Sequence, residues 1–291
     1  MPNLKEVRTR IASVNSTKQI TSAMKLVSAS KLRRTQNAIL KLRPYASKLS
    51  EIMQNLSDSI DNTDVAVLFE QRPPDKILLI VISSNRGMCG AFNSNIIKTT
   101  TSLIDEQFKN QYINNKIDII CIGKKAGDYF SKRKYNVIQR LDDIFDKLTY
   151  EKTVPVAEKI INEFIAKKYD KIVIVYNKFK NAGSQILETE QFLPILTPSN
   201  SQKKLNDYLF EPNKSELLNE LVPKNLKTQF YKVILDSFAS EHGARMTAMH
   251  KATENASEML KFLKLSYNKA RQASITNEIL EIVGGAEALK G

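Results

Sequence analysis

Apolar residues recur at alternating steps of three and four over residues 1–60, a heptad pattern that predicts one long helix. Between positions 18 and 35 the same phase carries mostly polar residues, and a displaced stripe of Ile20, Met24 and Val27 runs beside it. We therefore expect the apolar seam to turn there or to be interrupted, and Pro44 can kink the helix. The seam residues are Leu4, Val7, Ile11, Val14, Ile39, Leu42, Ala46, Leu49, Met53, Leu56 and Ile60.

A second heptad seam runs through the C-terminal segment, residues 210–287. Small side chains make up much of it, which lets a partner helix approach closely. Gly243 is expected to give local flexibility, and Gly284-Gly285 are expected to end the helix. The seam residues are Ala252, Ala256, Met259, Leu263, Ser266, Ala270, Ala273, Asn277 and Leu280.

Each long helix carries one apolar stripe that has to be buried against a partner. The sequence favours an antiparallel coiled coil of the two ends of the chain, with the middle inserted at one end of the coiled coil. The alternative is that each helix packs separately on a bundle.

Residues 75–200 alternate between apolar strands and amphipathic helices, which predicts an open, mostly parallel α/β sheet resembling a Rossmann fold. The predicted fold class is thus α/β plus a long coiled coil. The predicted strands are 76–82, 117–122, 137–138, 171–176 and 190–195, and the predicted helices are 91–108, 126–133 and 154–167, the last with Pro155 in its first turn.

Positive charge is concentrated at the N-terminus. The 291 residues carry a formal net charge of +13, and residues 1–48 hold 11 Lys and Arg against the single acid Glu6. This density predicts a polyanionic or acidic partner. The first aromatic residue is Tyr45, so nothing before it could stack on bases, which weakens a nucleic-acid partner.

Cys89 and Cys121 are too few for a disulfide framework and indicate a reducing compartment. The longest aliphatic run, residues 77–82, is too short to cross a bilayer, which needs about 20 residues in a helix. We expect a soluble chain, or one attached to a membrane only through partners.

No catalytic, metal-binding or cofactor-binding motif emerges from the residue pattern. The loop 83–93 follows a strand and opens a helix, but Gly87 and Gly90 match neither a dinucleotide nor a Walker fingerprint. We interpret it as a tight strand-to-helix turn with Cys89 as a small buried hydrophobe. His242 and His250 are expected to be solvated helix residues. The alternatives left open are a basic coiled-coil nucleic-acid binder and a nucleotide-dependent α/β enzyme.

The chain contains four long motifs, at residues 4–14, 17–31, 239–249 and 267–279, and two shorter ones at 86–90 and 207–212. These motifs closely resemble the gamma subunits of F-type ATP synthases. The strongest lie at the two ends of the chain, and the likeness covers essentially all of it.

The resemblance implies a non-catalytic rotor shaft without cofactor or metal. In that family the terminal helices turn inside a hexamer of alpha and beta subunits, and the α/β domain lies near the c-ring beside epsilon. Membrane attachment would be through the c-ring alone. With the motif starting at residue 4, the expected location is the cytoplasmic face of a bacterial inner membrane, as a peripheral subunit.

The resemblance also implies contact residues. Met24, Lys25 and Arg245 match positions beside the acidic lever of beta. Arg271, Gln272, Thr276 and Glu278 match positions that meet the catch loops of beta and alpha. Tyr208 and Glu211 match positions near the c-ring and epsilon.

Overall fold

The computed structural model describes residues 4–56, 64–196 and 213–288. Two long helices frame an α/β region: α1 spans Leu4–Leu56 and α6 spans Lys214–Ala288. The elements between them are β1 (Ile77–Ile82), α2 (Phe92–Gln107), α3 (Lys109–Ile113), β2 (Ile117–Ile122), α4 (Lys124–Lys132), β3 (Val137–Leu141), α5 (Tyr150–Ile165), β4 (Lys171–Asn181) and β5 (Ser184–Leu193), with short 3-10 helices at Asp64–Leu68 and Asp143–Phe145.

The five strands form one sheet in the order β3-β2-β1-β4-β5. β1 pairs in parallel with both β2 and β4, and β3 pairs in parallel with β2 at one edge. β5 returns antiparallel to β4 at the other edge. The expected open, mostly parallel α/β sheet is thus confirmed.

Helices cover both faces of the sheet. Leu78 and Ile80 of β1 point into a core that includes α5 and the first part of α6, through residues such as Phe164 and Phe230. The alternate residues of β1 point into a second core with α2 and α4. This double coverage explains why β1 is apolar at every position rather than at alternate ones.

Several predicted boundaries shift. Pro155 lies within α5 rather than in its first turn, because the helix starts at Tyr150. β4 runs five residues beyond the predicted end at residue 176, and β5 starts six residues before residue 190, because the two pair along a hairpin whose tip is polar. Gly284 and Gly285 do not end α6, which continues to Ala288.

The chain divides into two compact units, which are described separately. The terminal unit contains residues 4–28 and 246–288, and the sheet unit contains residues 29–245. Both long helices contribute to both units, so this division differs from the predicted segments 1–60, 75–200 and 210–287.

The long helices run antiparallel in the sheet unit. Lys31 of α1 acts electrostatically on Glu241 of α6, whereas Arg43, further along α1, acts on the earlier residue Asp236. In the terminal unit the hydroxyls of Thr21 and Thr253 are 2.8 Å apart and hydrogen-bonded. The expected antiparallel arrangement of the two ends is confirmed.

Of the two alternatives predicted for the α1 seam, the turn is wrong, and the apolar seam is instead interrupted by polar residues in its original phase. Ile20 and Val27 are 60% and 58% exposed, whereas the small polar residues of the original phase are buried. Each of these hydroxyls donates to a backbone carbonyl of the preceding turn, so burial leaves no polar group unpaired. They are Thr21, Ser28 and Thr35, which donate to Lys18, Met24 and Lys31.

The α6 seam also differs in part from its prediction. Ala256 and Leu263 are buried as expected, but Met259 is 54% exposed and its neighbour Leu260 is buried instead. Leu280, towards the end of the helix, is 62% exposed. A strict heptad count through this segment thus identifies only some of the residues that are buried.

Candidate interaction surfaces

The basic side chains of α1 form a charged surface. Most are exposed to solvent, and Arg10 lies 3.9 Å from Glu6 in a largely exposed pair that adds little stability. Met24 and Lys25, the predicted lever residues on this helix, are half-buried. The exposed cations include Lys5, Arg8, Arg10, Lys31, Arg33, Arg34, Lys41 and Arg43.

The four predicted catch-loop residues lie on successive turns of α6 in the terminal unit, and all are exposed. The Thr276 hydroxyl donates to the Gln272 carbonyl at 3.0 Å, and Ser274 donates to a Glu278 carboxylate oxygen at 3.2 Å. The group can therefore meet another protein without disturbing its own helix.

Large apolar side chains are also exposed on the terminal unit. On α1 they are Ile20, Leu26 and Val27, and on α6 they are Met259, Phe262, Leu265, Ile275, Ile279, Leu280, Ile282 and Val283. Exposed apolar surface on this scale is typical of a protein that contacts a partner.

The third predicted lever residue, Arg245, is placed differently from Met24 and Lys25. It is buried in the sheet unit, with 6% of its surface exposed. Its Nη1 donates to Glu241 Oε1 at 2.6 Å, and its Nη2 and Nε donate to the carbonyls of Arg86 and Gly87 at 2.8 and 3.3 Å. Arg245 thus joins α6 to the loop that follows β1.

His242 belongs to the same cluster, so the expectation that it is solvated is wrong. It is 4% exposed and packs edge-on against the Phe238 ring. Burial and the nearby Arg245 charge lower the pKa of His242 to about 3, so the ring is neutral near pH 7. Its Nδ1 lies 3.3 Å from Arg245 Nη1, and because arginine only donates, Nδ1 is the acceptor.

Glu241 is the only acid in direct contact with Arg245 among the described residues. Burial raises its pKa, and the charge and hydrogen bond of Arg245 oppose that rise. A buried carboxylate needs such a partner, because an unpaired one is strongly destabilising.

The loop that Arg245 holds is a tight strand-to-helix turn, as predicted. Gly90 and Met88 both adopt left-handed backbone conformations, with φ of 60° and 61°. Cys89 is 1% exposed, accepts a hydrogen bond from Asn93 Nδ2 at 3.2 Å, and has its pKa raised by burial. It behaves as the small buried side chain that the sequence predicts.

Two further observations concern metal binding and membrane insertion by the described residues. They contain no group of three or more His, Cys, Asp or Glu side chains placed to hold a metal ion. Within the same ranges, no helix is apolar and long enough to span a bilayer. The predicted c-ring and epsilon contacts, Tyr208 and Glu211, lie outside the described residues.

Comparison with known proteins places the chain in a family. A family model described as ATP synthase matches residues 3–289. The ATP synthase gamma chain of Christiangramia forsetii is 54% identical over 291 residues and covers both chains fully. That of Cytophaga hutchinsonii is 53% identical over 293 residues, with 99% of each chain covered.

The chain belongs to the ATP synthase gamma chain family.

Chains in solved structures of ATP synthases share this fold at low sequence identity. A chain of the Euglena gracilis mitochondrial ATP synthase (OSCP/F1/c-ring) superimposes with a TM-score of 0.71 at 23% identity, covering 98% of this chain and 94% of that one. A chain of the Tetrahymena thermophila central stalk and c-ring structure gives 0.60 at 22% identity, covering 80% and 99%. The fold of this chain thus recurs in these two structures although fewer than a quarter of the residues are identical.

In this gamma chain, sequence reasoning missed the cluster of Glu241, His242 and Arg245. The spacing of Glu241 and Arg245, four residues apart on a helix, is a usable signal for an ion pair. Nothing in that spacing indicates that the pair is buried or that the arginine reaches a loop some 160 residues earlier, because both depend on how α6 packs on the sheet.

Proposed function

We propose that this chain is the central rotor shaft of an F-type ATP synthase. The observation that carries the proposal is identity above 50% with curated gamma chains over the whole length. In this role the chain makes no bond and binds no nucleotide. It transmits torque between the c-ring, turned by proton flow, and the hexamer of alpha and beta subunits that makes or hydrolyses ATP.

The long helices suit torque transmission. Two antiparallel helices resist twisting better than one, and buried seam residues such as Thr21, Ser28 and Ala256 are small enough to let the helices approach closely. Because Thr21 and Ser28 bond to their own helix, the seam gains close packing without unpaired polar groups.

The exposed surfaces suit contacts that form and break. The apolar side chains of the terminal unit can slide within a protein sleeve, since apolar contacts have no preferred angular register. Exposed cations on α1 can meet an acidic partner through individually weak, screened interactions. Strong, fully buried ion pairs would instead trap the shaft at one angle.

We assign contacts by position in the family. Met24 and Lys25 meet the acidic lever of beta, and Arg271, Gln272, Thr276 and Glu278 meet the catch loops of beta and alpha. Arg245 belongs to the same lever region, but its guanidinium is turned inward and supports that region rather than touching beta. Tyr208 and Glu211 are assigned to the c-ring and epsilon. We assign the complex to the cytoplasmic face of a bacterial inner membrane, with membrane contact only through the c-ring.

Purification of the tagged chain from cells tests the proposal. We expect alpha and beta subunits to co-purify with it in a 3:3:1 ratio, with epsilon and the c-ring present when mild detergent is used. Salt-sensitive DNA binding by the free chain without alpha or beta would instead favour the nucleic-acid binder. Dinucleotide binding by the full chain would favour the enzyme.

A further inference from the structure

Every polar nitrogen of the Arg245 side chain has a partner. Nη1 donates to Glu241 and lies near His242 Nδ1, while Nη2 and Nε reach the carbonyls of Arg86 and Gly87. Two of these partners lie on α6, the helix of Arg245 itself, and two lie on the loop after β1. One side chain therefore connects the long helix to the carboxyl edge of the central strand.

The carbonyl of Arg86 is the centre of the loop's own hydrogen bonding. The Ser84 hydroxyl donates to it at 2.7 Å, and the Arg245 Nη2 donates to it at 2.8 Å. Asn93, at the start of α2, accepts from the Ser84 backbone at 3.0 Å and donates to Cys89 Sγ at 3.2 Å. The hydrogen bond from Arg245 to this carbonyl therefore fixes the backbone between β1 and α2, which includes the buried Cys89.

Lysine could not make the same connection. A guanidinium is a planar fork that bonds several acceptors at fixed angles, whereas an ammonium is a point charge on a flexible stem. Glu241 balances the buried charge, which leaves the other two nitrogens directed at the loop carbonyls.

We infer that Arg245 is a positioning residue that clamps the loop 86–90 onto α6. If the chain is a rotor shaft, as proposed above, this clamp is a joint through which torque passes between the sheet and the long helix α6. Arg245 acts through the loop and does not itself touch a catalytic subunit. Its loss should loosen the joint and lower the stability of the chain, because Glu241 loses its partner, while the strands of the sheet keep their own apolar cores.

Cys89 provides a direct readout of the clamp, because it belongs to the clamped loop and its side chain is only 1% exposed. The full-length chain would be labelled with a maleimide and each cysteine followed by peptide mass spectrometry. In Arg245→Ala we expect Cys89 to label at least about tenfold faster through local opening of the loop. Cys121, the fifth of the six residues of β2 and also fully buried, is the internal control and should change far less than Cys89.

Two matched variants sharpen the experiment. Arg245→Lys keeps the charge near Glu241 but loses the fork, so Cys89 labelling should lie between the wild type and Arg245→Ala. Lys251→Ala removes an exposed cation from the same helix and should label like the wild type. If Arg245→Ala does not fold, Arg245→Lys decides the matter. A folded variant whose Cys89 stays as protected as in the wild type overturns the clamp.

The assembled enzyme separates a failed clamp from a failed rotor assignment. In reconstituted vesicles we expect Arg245→Lys to retain ATP hydrolysis but to pump fewer protons per ATP than the wild type. An unchanged pumping ratio together with faster Cys89 labelling would confine Arg245 to local loop structure and overturn the joint. Failure of the wild-type chain to bind alpha and beta would overturn the rotor proposal instead, without affecting the labelling result.

Discussion

Asp236 shows how a single buried side chain can reduce stability. It is 6% exposed, and burial raises its pKa from 3.8 to about 6, although Lys232, Arg43 and Lys178 favour its charged form. Because the pKa of Asp236 is higher in the folded chain than in the unfolded chain, folding favours the protonated carboxyl. The contribution of Asp236 to the free energy of unfolding is therefore fully present below about pH 3.8 and is lost as the pH rises through about 6. This difference corresponds to roughly 3 kcal/mol.

Asp236→Asn should therefore stabilise the chain at pH 8, by up to about 3 kcal/mol, and progressively less as pH falls below 6. Urea unfolding followed by circular dichroism at pH 5, 6.5 and 8 measures the gap between the two chains. Titration of the buried His242 is common to both and cancels in the comparison. If the difference in unfolding free energy between the two chains does not vary with pH, ionisation of Asp236 does not destabilise the folded chain.

Gly243 is a residue whose absent side chain matters. A Cβ at this position would lie 3.2 Å from the carbonyl oxygen and 3.4 Å from the Cα of Ala182, at the tip of the β4–β5 hairpin. The structure thus gives a packing reason for a glycine within a long helix: it lets the hairpin backbone approach α6.

Gly243→Ala should destabilise the chain by about 1 kcal/mol, because moving the hairpin backbone outweighs the gain of about 1 kcal/mol in helix propensity. Hydrogen exchange of residues 181–184 should become faster. Gly284→Ala is the matched control, since a Cβ there meets only open space. It should keep the propensity gain and slow exchange near the end of α6. Slower exchange at the hairpin in Gly243→Ala would contradict the packing argument.

At the scale of elements, the close approach of the long helices depends on small buried residues. Ala256 is 7% exposed on the inner side of α6, in the terminal unit. Ala256→Leu should overpack the seam and cost about 1–3 kcal/mol. Lys261→Leu places the same side chain at an exposed position of the same helix and should have little effect.

Thermal unfolding of the two leucine variants measures this difference. A lower melting temperature for Ala256→Leu alone is the expected outcome. Equal melting temperatures would mean that the seam has room for a larger residue and that close packing is not required there.

The elements of the sheet could be predicted well, and the reason is local. β1 is apolar at every position and β2 at every position except Asp118, because both faces of each strand are covered, so the apolar runs identify the two strands. The β4–β5 hairpin was the harder case. Its outer half is polar, as in Lys178 and Glu188, whose side chains pair at 3.0 Å, and only strand pairing makes that half extended.

At the scale of the whole molecule, the exposed group at residues 271–278 provides the sharpest test of the rotor contacts. Arg271→Ala combined with Gln272→Ala removes two exposed side chains, so the isolated chain should keep its melting temperature. ATP-driven proton pumping by the assembled complex should fall severalfold, because the catch-loop contact is lost.

Lys269→Ala, an exposed change two residues earlier on the same helix, serves as the control and should leave pumping unchanged. If the double variant assembles and pumps like the wild type, the catch-loop assignment is wrong. If its melting temperature also falls, the effect is structural rather than a lost contact.

The sequence by itself determined the long helices, the apolar strands, the concentration of charge in α1 and the family, because each of these is carried by neighbouring residues or by long continuous motifs. Only the tertiary structure decided that Thr21, Ser28 and Thr35 lie inside the seam while Ile20 and Val27 face outward. It also decided that His242 and Arg245 are buried and that Arg245 reaches a distant loop. Burying a charged side chain is costly unless partners satisfy it, and the partners of Arg245 on the loop are supplied by a chain segment that sequence periodicity does not connect to α6.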